Sequence, residues 1–230
     1  MTIIVKNKKI KMNENKDLTN EETFALAVQN HQDNNLKIAE NLYNAVLKND
    51  PNYAAAYNNL GVIFQSLEYF DKAIINYKKA ITINPNQLDA LNNIGLSFHQ
   101  LRAYEKAVSY FERVIKINPN HIEALNNLGL TYYDMLEKKK AIKYYEKVIK
   151  IEPTYTNAYH NLAIILKEFG QYKKAKNYFE KVIKTGFPSK KTLVQYGRTL
   201  LNINRDLKGL EYIAKGEGVI KFTQTVFKII

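Results

Sequence analysis

Residues 54–87 read AAAYNNLGVIFQSLEYFDKAIINYKKAITINPNQ, and residues 88–121 repeat the same arrangement of small, apolar and proline positions. Prolines recur every 34 residues, at Pro51, Pro85, Pro119 and Pro153, and Pro188 follows one residue late. Small residues keep the same period, at Gly61, Gly95, Gly129 and Ala163. A fixed period of about 20 to 50 residues is the signature of a stacked-repeat architecture. The chain is therefore predicted to be a repeat protein.

The repeats begin at residue 20 when they are set on this period. Five of them cover residues 20–53, 54–87, 88–121, 122–155 and 156–189, and a degenerate sixth repeat or C-terminal cap covers residues 190–230. Each repeat shows two helical patterns, since apolar residues recur at the i, i+3, i+4 and i+7 spacing of one helix face. The second helix is expected to end before the proline, because the residue before a proline is excluded from the helical conformation.

Small and aromatic residues alternate between the two helices. A glycine inside a helix costs about 1 kcal/mol relative to alanine, so its recurrence at one place indicates a close helix contact. Small residues of the second helix recur at Ala73, Ala107, Ala141 and Ala175, and rings recur four residues later at Tyr77, Phe111, Tyr145 and Phe179. We expect these rings to fill the space between the helices, with Leu60, Leu128 and Leu162 in the core.

This pattern resembles the tetratricopeptide repeat family. The resemblance is carried by Leu60-Gly61, Ala73, Tyr77, Ala80 and Pro85 and their counterparts in the next repeat, and it extends from residue 20 to about residue 215. It implies an all-α fold, a solenoid in which antiparallel helix pairs stack into a right-handed superhelix. The first and last repeats depart from the pattern, as capping repeats do.

Composition excludes several classes of protein. The 230 residues carry 34 Lys and Arg against 22 Asp and Glu, a net charge of +12, and no Cys, which excludes disulfides and thiolate zinc sites. No apolar run approaches the ~20 residues of a membrane helix, and the basic tail of residues 1–19 lacks a signal-peptide core. We expect a cytoplasmic protein without a membrane partner, of bacterial origin from its abundant Lys, Asn and Ile. The β-branched residues of 219–230 favour a strand.

The first helix of each pair lines the concave surface in this family, through its second, sixth, ninth and thirteenth places. The sixth place holds a ladder of asparagines, Asn59, Asn93, Asn127 and Asn161. The ninth place holds an aliphatic rail, Val62, Leu96, Leu130 and Ile164. Acidic residues at the second or thirteenth place form a rim, Asp89, Glu123, Asp134 and Glu168.

These three features predict a groove for an extended peptide. A carboxamide offers donors and an acceptor to the N–H and C=O of one peptide unit, the rail accommodates side chains, and the rim adds selectivity. The ladder resembles that of the repeat region of O-linked N-acetylglucosamine transferases, which implies that the four asparagines hold the main chain of the bound protein. One alternative stays open: asparagine before Leu-Gly is common in this family, so the ladder then consists of solvated amides.

Catalytic and metal sites are not expected. The four histidines form no i, i+4 pair, and no carboxylate partner marks a metal site or a catalytic dyad. We therefore predict no metal, no cofactor and no enzymatic activity. Some members of this family grip a terminal carboxylate with Lys and Arg at the second, fifth and sixth places of successive first helices. Here those places hold Ala, Asp, Glu and Asn, with Lys191 as the lone exception, so a carboxylate clamp is not expected. Lysines around the second helices are interpreted as a solvated face, so nucleic-acid binding is not favoured.

The sequence therefore predicts a non-catalytic scaffold for protein–protein interaction, which binds a protein or peptide in the concave groove. One alternative is a region that presents substrates to a glycosyltransferase, sulfotransferase or similar modifying enzyme, because residues 25–51 are similar to the opening of repeat arrays fused to such enzymes. A further alternative is self-assembly into a homo-oligomer.

Overall fold

The structure, a computed structural model, describes residues 18–186, 188–204 and 208–218. These ranges contain twelve α-helices and no strand, which confirms the predicted all-α repeat solenoid as the class of fold. Most of the basic tail, residues 1–17, and the strand predicted for residues 219–230 lie outside the described residues.

The helices fall into two compact units that meet in sequence at Leu101 and Arg102. The first unit contains α1 (Asn20–Gln32), α2 (Leu36–Asn49), α3 (Ala54–Ser66), α4 (Phe70–Ile83) and α5 (Leu88–Gln100). The second unit contains α6 (Tyr104–Ile117), α7 (Ile122–Asp134), α8 (Lys138–Ile151), α9 (Thr156–Glu168), α10 (Tyr172–Ile183), α11 (Lys190–Asn204) and α12 (Lys208–Glu217). Successive helices pack within each unit, and the first helices of neighbouring pairs also touch, α3 with α5 and α9 with α11.

Prolines end the second helix of four pairs. The C-cap residues Asp50, Asn84, Asn118 and Glu152 each precede a proline and lie outside the helical region, with φ between −125° and −132°. This is the conformation that a following proline imposes by excluding the helical region. The exception is α10, which ends at Ile183. The chain after it passes through Gly186, whose φ is +83°, and the proline follows at position 188, one residue later than the period predicts.

A left-handed residue joins the two helices of each of the first five pairs. These residues recur every 34 positions, at Asn34, Glu68, Arg102, Leu136 and Gly170, with φ between +57° and +70°. Only the last is a glycine, and a β-carbon in this conformation costs roughly 1–2 kcal/mol. The period of the backbone is therefore kept even where the sequence gives no glycine signal for it.

The core of a pair is a tyrosine ring lying against a glycine. A β-carbon on Gly61 would lie 2.5 Å from the Tyr77 ring, and one on Gly129 would lie 2.6 Å from the Tyr145 ring. Tyr77 and Tyr145 are almost fully buried, with exposures of 0% and 1%. The close helix contact predicted from the recurring glycine is therefore a contact between the glycine backbone of the first helix and the tyrosine ring of the second.

The pair α11 and α12 is packed differently. A β-carbon on Gly197 would lie 2.4 Å from the carbonyl oxygen of Gly209, and one on Gly209 would lie 2.5 Å from the carbonyl oxygen of Gly197. The backbones of the two helices therefore approach each other directly at this point, beside the ring pair of Tyr196 and Tyr212. This explains the glycines that distinguish the second helix of the last pair.

Replacing a buried leucine should test the assignment of the core. Leu128 is fully buried at 0% exposure, whereas Leu136 is 80% exposed. We expect Leu128→Ala to lower the free energy of unfolding by about 2–5 kcal/mol, because it leaves a cavity, and Leu136→Ala to change it by less than about 0.5 kcal/mol. Urea denaturation followed by circular dichroism measures both. Equal effects of the two substitutions would mean that the core is assigned wrongly.

The left-handed turn predicts a stabilising substitution. Leu136 has φ +63°, and glycine occupies the equivalent place at Gly170. We expect Leu136→Gly to raise the free energy of unfolding by about 0.5–1 kcal/mol, since glycine relieves the left-handed strain at the cost of some unfolded-state entropy. The Leu136→Ala variant keeps the β-carbon and serves as the control in the same denaturation experiment. A destabilised glycine variant would contradict the strain argument.

Candidate functional site

The ladder asparagine Asn59 is partly engaged inside the protein. It is half-buried on α3, and its Nδ2 donates a hydrogen bond of 3.1 Å to the hydroxyl of Tyr43 on α2. Burial raises the pKa of Tyr43, and the hydrogen bond with Asn59 lowers it by a smaller amount. The Asn59 amide is thus oriented by a core tyrosine and keeps a second N–H for a ligand.

The other three ladder asparagines differ in their surroundings. Asn161 on α9 is hydrogen-bonded to the Tyr145 hydroxyl, which makes it the counterpart of Asn59. Asn127 lies on α7, and the preceding helix α6 has Phe111 at the position equivalent to Tyr43 and Tyr145. Phenylalanine has no hydroxyl to bond an asparagine. Before Asn93 the tyrosine is present, but the Tyr77 hydroxyl donates to Gln65 Oε1 at 2.7 Å. The Asn93 carboxamide has no hydrogen-bond partner among the described residues.

The rail residues lie half-buried on their first helices, as the helical spacing predicts. They are Val62 on α3, Leu96 on α5, Leu130 on α7 and Ile164 on α9. A half-buried aliphatic side chain still offers apolar surface to a ligand, and burying that surface contributes about 25 cal/mol per Å².

The acidic rim is less uniform than the sequence predicts. Asp89 and Asp134 are exposed, and Asp89 has no ion pair among the residues described. Glu168 accepts a hydrogen bond of 2.5 Å from the Tyr133 hydroxyl and forms an ion pair of 2.9 Å with Lys138. Burial raises the pKa of Glu168, but the bonds from Tyr133 and Lys138 outweigh it and leave the pKa below its usual value. Glu168 is therefore an internally paired carboxylate.

His121 lies at the start of α7, close to the carboxylate of Glu123. His121 Nδ1 lies 3.5 Å from Glu123 Oε2, and the same nitrogen accepts a hydrogen bond of 3.3 Å from the Ala124 N–H. An Nδ1 that accepts a bond is unprotonated in neutral imidazole, so this histidine caps the start of α7. The contact brings the predicted rim residue Glu123 to the helix end.

A cavity in the second unit brings four of the predicted residues together. Its volume is about 240 Å³, and it is lined by Leu130 and Tyr133 of α7, Tyr145 of α8, His160, Asn161, Ile164, Lys167 and Glu168 of α9, and Lys191 and Gln195 of α11. We call it the Asn161 cavity. One ladder amide, two rail residues and one rim carboxylate thus face a common space.

An adjoining cavity of about 300 Å³ shares His160, Asn161 and Lys191 with the first. Its further lining residues are Thr156, Asn157, Val182, Ser189 and Thr192. Ser189 accepts a hydrogen bond of 3.1 Å from the N–H of Thr192, which organises the start of α11. Asn161 therefore borders both cavities, and each of them is lined by further polar residues.

Several lining residues lie outside the predicted ladder, rail and rim. His160 replaces the asparagine that neighbours the ladder at positions 58, 92 and 126, and its Nδ1 lies 2.8 Å from the Thr192 hydroxyl oxygen. Tyr133 and Lys167 occupy the twelfth place of their helices, which the inward stripe omitted. The available signal was the break in the asparagine pattern at residue 160.

The cavity is electrostatically positive around His160. Burial, together with the charges of Lys191 and Lys167, lowers the pKa of His160 to about 4. Burial also lowers the pKa of Lys167, and the neighbouring Arg198 lowers it further. His160 is therefore neutral at physiological pH, while the lysines carry the charge.

The described residues contain neither a candidate metal site nor a candidate membrane helix. No group of three or more His, Asp or Glu residues that could hold a metal ion occurs in the described part of the chain. Within the same ranges, no helix has both the length and the apolar character that crossing a membrane requires.

The sequence pattern of the tetratricopeptide repeat matches residues 54–87, 88–121 and 122–155, and a second pattern with the same description matches residues 144–177. These matches together cover more than half of the chain. The chain belongs to the tetratricopeptide repeat family. No curated protein sequence matches it significantly.

Solved structures share this fold. MamA matches with a TM-score of 0.64 and 27% identity, over 69% of this chain and 93% of MamA. PilW, a widely conserved type IV pilus biogenesis factor, matches with a TM-score of 0.78 and 20% identity, over 91% of this chain and 97% of PilW. YrrB, a tetratricopeptide repeat protein with an unusual peptide-binding site, matches with a TM-score of 0.58 and 18% identity, over 76% of this chain and 91% of YrrB. At these identities PilW and YrrB share the fold alone.

The lowered pKa of His160 predicts a pH-dependent stability. Because the unfolded state takes up a proton near pH 6.5 and the folded state only near pH 4, stability is complete above pH 6.5 and is lost as the pH falls. We expect the titration of His160 to lower the free energy of unfolding by about 2 kcal/mol between pH 7 and pH 5. The variant His160→Asn, which restores the asparagine found at the other equivalent places, should lose less stability over this range.

Urea denaturation of both proteins at pH 7 and pH 5 measures the difference. The carboxylates titrate in wild type and variant alike, so the comparison isolates His160. The same loss of stability in both proteins would show that the imidazole is not held neutral by its surroundings.

Proposed function

We propose that this tetratricopeptide repeat protein is a non-catalytic scaffold, which binds an extended segment of a partner protein along the inward places of its first helices. The observation that carries the proposal is the Asn161 cavity, which a ladder amide lines together with the rail residues Leu130 and Ile164. The family supports it, since repeats of this kind present surfaces to other proteins, and so does the peptide-binding site for which YrrB is described.

The chemistry of the ladder suits main-chain recognition. Asn59 and Asn161 are each oriented by a tyrosine of the preceding second helix, Tyr43 and Tyr145, and each retains one N–H and part of its acceptor capacity. An amide that is already oriented loses less rotational entropy when it binds a peptide group. The Asn93 carboxamide makes no hydrogen bond within the described part of the chain, so its donors and its acceptor are available to a ligand.

The rail supplies the apolar part of the affinity. Leu130 and Ile164 lie on α7 and α9 and both face the Asn161 cavity. A peptide in extended conformation places alternate side chains on one face, so every second residue can cover a rail position while its main chain meets the amides. The proposed ligand is therefore an extended peptide with apolar residues at alternate positions.

Binding of selected peptides to ladder variants tests the proposal. Peptides would be selected from a random twelve-residue phage library on the wild-type chain, synthesised with a fluorescent label and measured by fluorescence polarisation. We expect Asn93→Ala or Asn161→Ala to weaken binding about fivefold each, the equivalent of about 1 kcal/mol per hydrogen bond, and the quadruple alanine variant that also changes Asn59 and Asn127 to abolish measurable binding.

The matched control is Asn177→Ala, which removes an exposed carboxamide from α10, a second helix. Its affinity should equal that of the wild type. Thermal unfolding of each variant separates loss of binding from loss of folding, and Asn93→Ala is the cleanest case because its amide has no partner in the described structure. Selected peptides that bind the quadruple variant as tightly as the wild type would refute a role for the ladder.

A further inference from the structure

We propose that the turns before α8 and α10 form a contact surface for a membrane that contains anionic phospholipids. Leu136 and Phe169 enter the lipid, and the neighbouring lysines bind its phosphate groups. We call this surface, residues 136–140 and 169–174, the α8–α10 edge. It lies outside the inward places of the proposed peptide site and adds a second function to the chain. The expectation of no membrane partner rests on the lack of a spanning apolar run, which a contact at the bilayer surface does not need.

Leu136 is exposed and strained at the tip of its turn. Its side chain is 80% exposed, and its φ of +63° lies in the left-handed region, which glycine and asparagine adopt most readily. The equivalent places of the other turns hold Asn34, Glu68, Arg102 and Gly170, so Leu136 is the one large apolar residue among these five. Stability alone would select against leucine here, and places that break such local rules are where function is expected.

Lysines fill the first turn of both helices at the α8–α10 edge. α8 begins with Lys138, Lys139 and Lys140, and α10 carries Lys173 and Lys174 directly after its first residue. Neither first turn has an acidic residue, whereas the equivalent helices α4 and α6 each have one. Because the amino end of a helix is the positive end of its dipole, lysine is disfavoured there. These lysines, like the exposed leucine, are therefore placed at a cost to stability.

Three of the five lysines have no carboxylate partner in the described part of the chain. Lys138 and Lys140 each form an ion pair with a glutamate, at 2.9 Å and 2.6 Å. Lys139, Lys173 and Lys174 are exposed and form no ion pair with any described residue. Their ammonium groups are available to the phosphates of anionic lipids.

A recess between the two turns brings apolar and basic groups together. Its volume is about 470 Å³, and Leu136, Phe169 and Lys139 are among its lining residues. Lys138 Nζ lies 5.7 Å from the centroid of the Phe169 ring, so an ammonium group lies beside an aromatic face. A phospholipid has the matching combination, because its acyl chain can cover Leu136 and Phe169 while its phosphate meets the lysines.

A second recess repeats this combination after Gly170. Its volume is about 430 Å³, and Tyr172 and Ile203 line it together with Lys173 and Lys174. Apolar and basic side chains thus occur together at both turns. This repetition suits a bilayer, which presents many identical headgroups side by side.

The exposure of Leu136 favours a bilayer over a soluble acidic protein. A side chain that projects from the tip of a turn gains little from a partner lying in the recess beside it, since its outer surface stays in water. The bilayer interface accepts such a side chain without a pocket of matching shape. The lysines around it then reach the headgroups, where their long side chains keep the charge hydrated.

The net positive charge of the chain lies in the second unit, which carries the α8–α10 edge. Residues 102–230 contain 24 Lys and Arg against 12 Asp and Glu, whereas residues 1–101 contain ten of each. Long-range attraction to an anionic surface therefore acts on the second unit. The turn between α3 and α4 also exposes apolar side chains, Leu67 and Tyr69, but in a unit without net charge. That turn provides a matched control.

A tryptophan at the tip tests the contact, because the natural chain contains none. Leu136→Trp and the control Leu67→Trp would be titrated with vesicles of phosphatidylcholine alone and of phosphatidylcholine with one quarter phosphatidylglycerol. We expect the emission of Leu136→Trp to shift to the blue and to be quenched by brominated acyl chains, with the anionic vesicles effective at about a tenfold lower lipid concentration. The emission of Leu67→Trp should not change.

The variant Leu136→Gly separates membrane contact from folding, because it is expected to stabilise the fold while it removes the inserted side chain. Cosedimentation with the anionic vesicles should show binding about fivefold weaker than for the wild type. The control Leu67→Ala, which shortens an exposed leucine in the first unit, should bind as the wild type does.

A charge variant tests the lysines in the same assay at about 150 mM NaCl. We expect Lys139→Gln/Lys173→Gln/Lys174→Gln to weaken binding about tenfold. The control changes three exposed lysines that lie away from the two turns, and so makes the same change in net charge: Lys116→Gln/Lys147→Gln/Lys150→Gln. Its binding should fall less than about threefold, because only the long-range attraction is reduced.

Three results would overturn the proposal. If the wild type binds neither kind of vesicle, or if Leu136→Gly binds as tightly as the wild type, the α8–α10 edge makes no membrane contact. If neutral and anionic vesicles bind equally, the lysines have no such role. If vesicles fail but a labelled peptide of Glu and Leu binds the wild type and not Leu136→Gly, the edge docks an acidic protein instead. The ladder is tested with soluble peptides, so the proposed function stands or falls separately.

Discussion

The contact between a tyrosine ring and a bare glycine backbone determines both the core and the site of this protein. Tyr145 is nearly fully buried because Gly129 has no β-carbon that would occupy the place of the ring. The ring thereby fixes the distance between α7 and α8. Its hydroxyl extends past the core to Asn161 and the cavity beside it. One side chain therefore holds a helix pair together and orients a ladder amide.

The identity of that ring makes the ladder unequal. The repeat pattern accepts tyrosine or phenylalanine at this place, since both fill the same volume, but only tyrosine has a hydroxyl for the following asparagine. Asn59 and Asn161 have such a partner, whereas Asn127 follows Phe111. Even a tyrosine is not sufficient, because Tyr77 bonds Gln65. The four ladder asparagines therefore differ in their hydrogen bonding, although the sequence repeats the same residue type at the same place.

The site could be predicted from the sequence only in part. The helical period places Asn161, Leu130 and Ile164 on inward faces, and the structure brings them to a common cavity. The internal pairing of Glu168 was not predictable, because its partners Tyr133 and Lys138 are 35 and 30 residues away in the sequence. Lys167, next to Glu168 in the sequence, instead donates a hydrogen bond to Gln195 Oε1 on α11. Charge balance in a cavity depends on which groups meet, and composition does not specify it.

The sequence alone determined the period, the two helices of each repeat and the class of fold, because these depend on local spacing, on the backbone restriction before proline and on small residues at fixed places. It did not reveal the left-handed turn at Leu136, since no glycine marks it. The tertiary structure decided which lining residues share a space, which carboxylate is already neutralised and why His160 is neutral. The physical reason is that burial and charge pairing arise from helices far apart in the chain, whereas helix formation depends on neighbours.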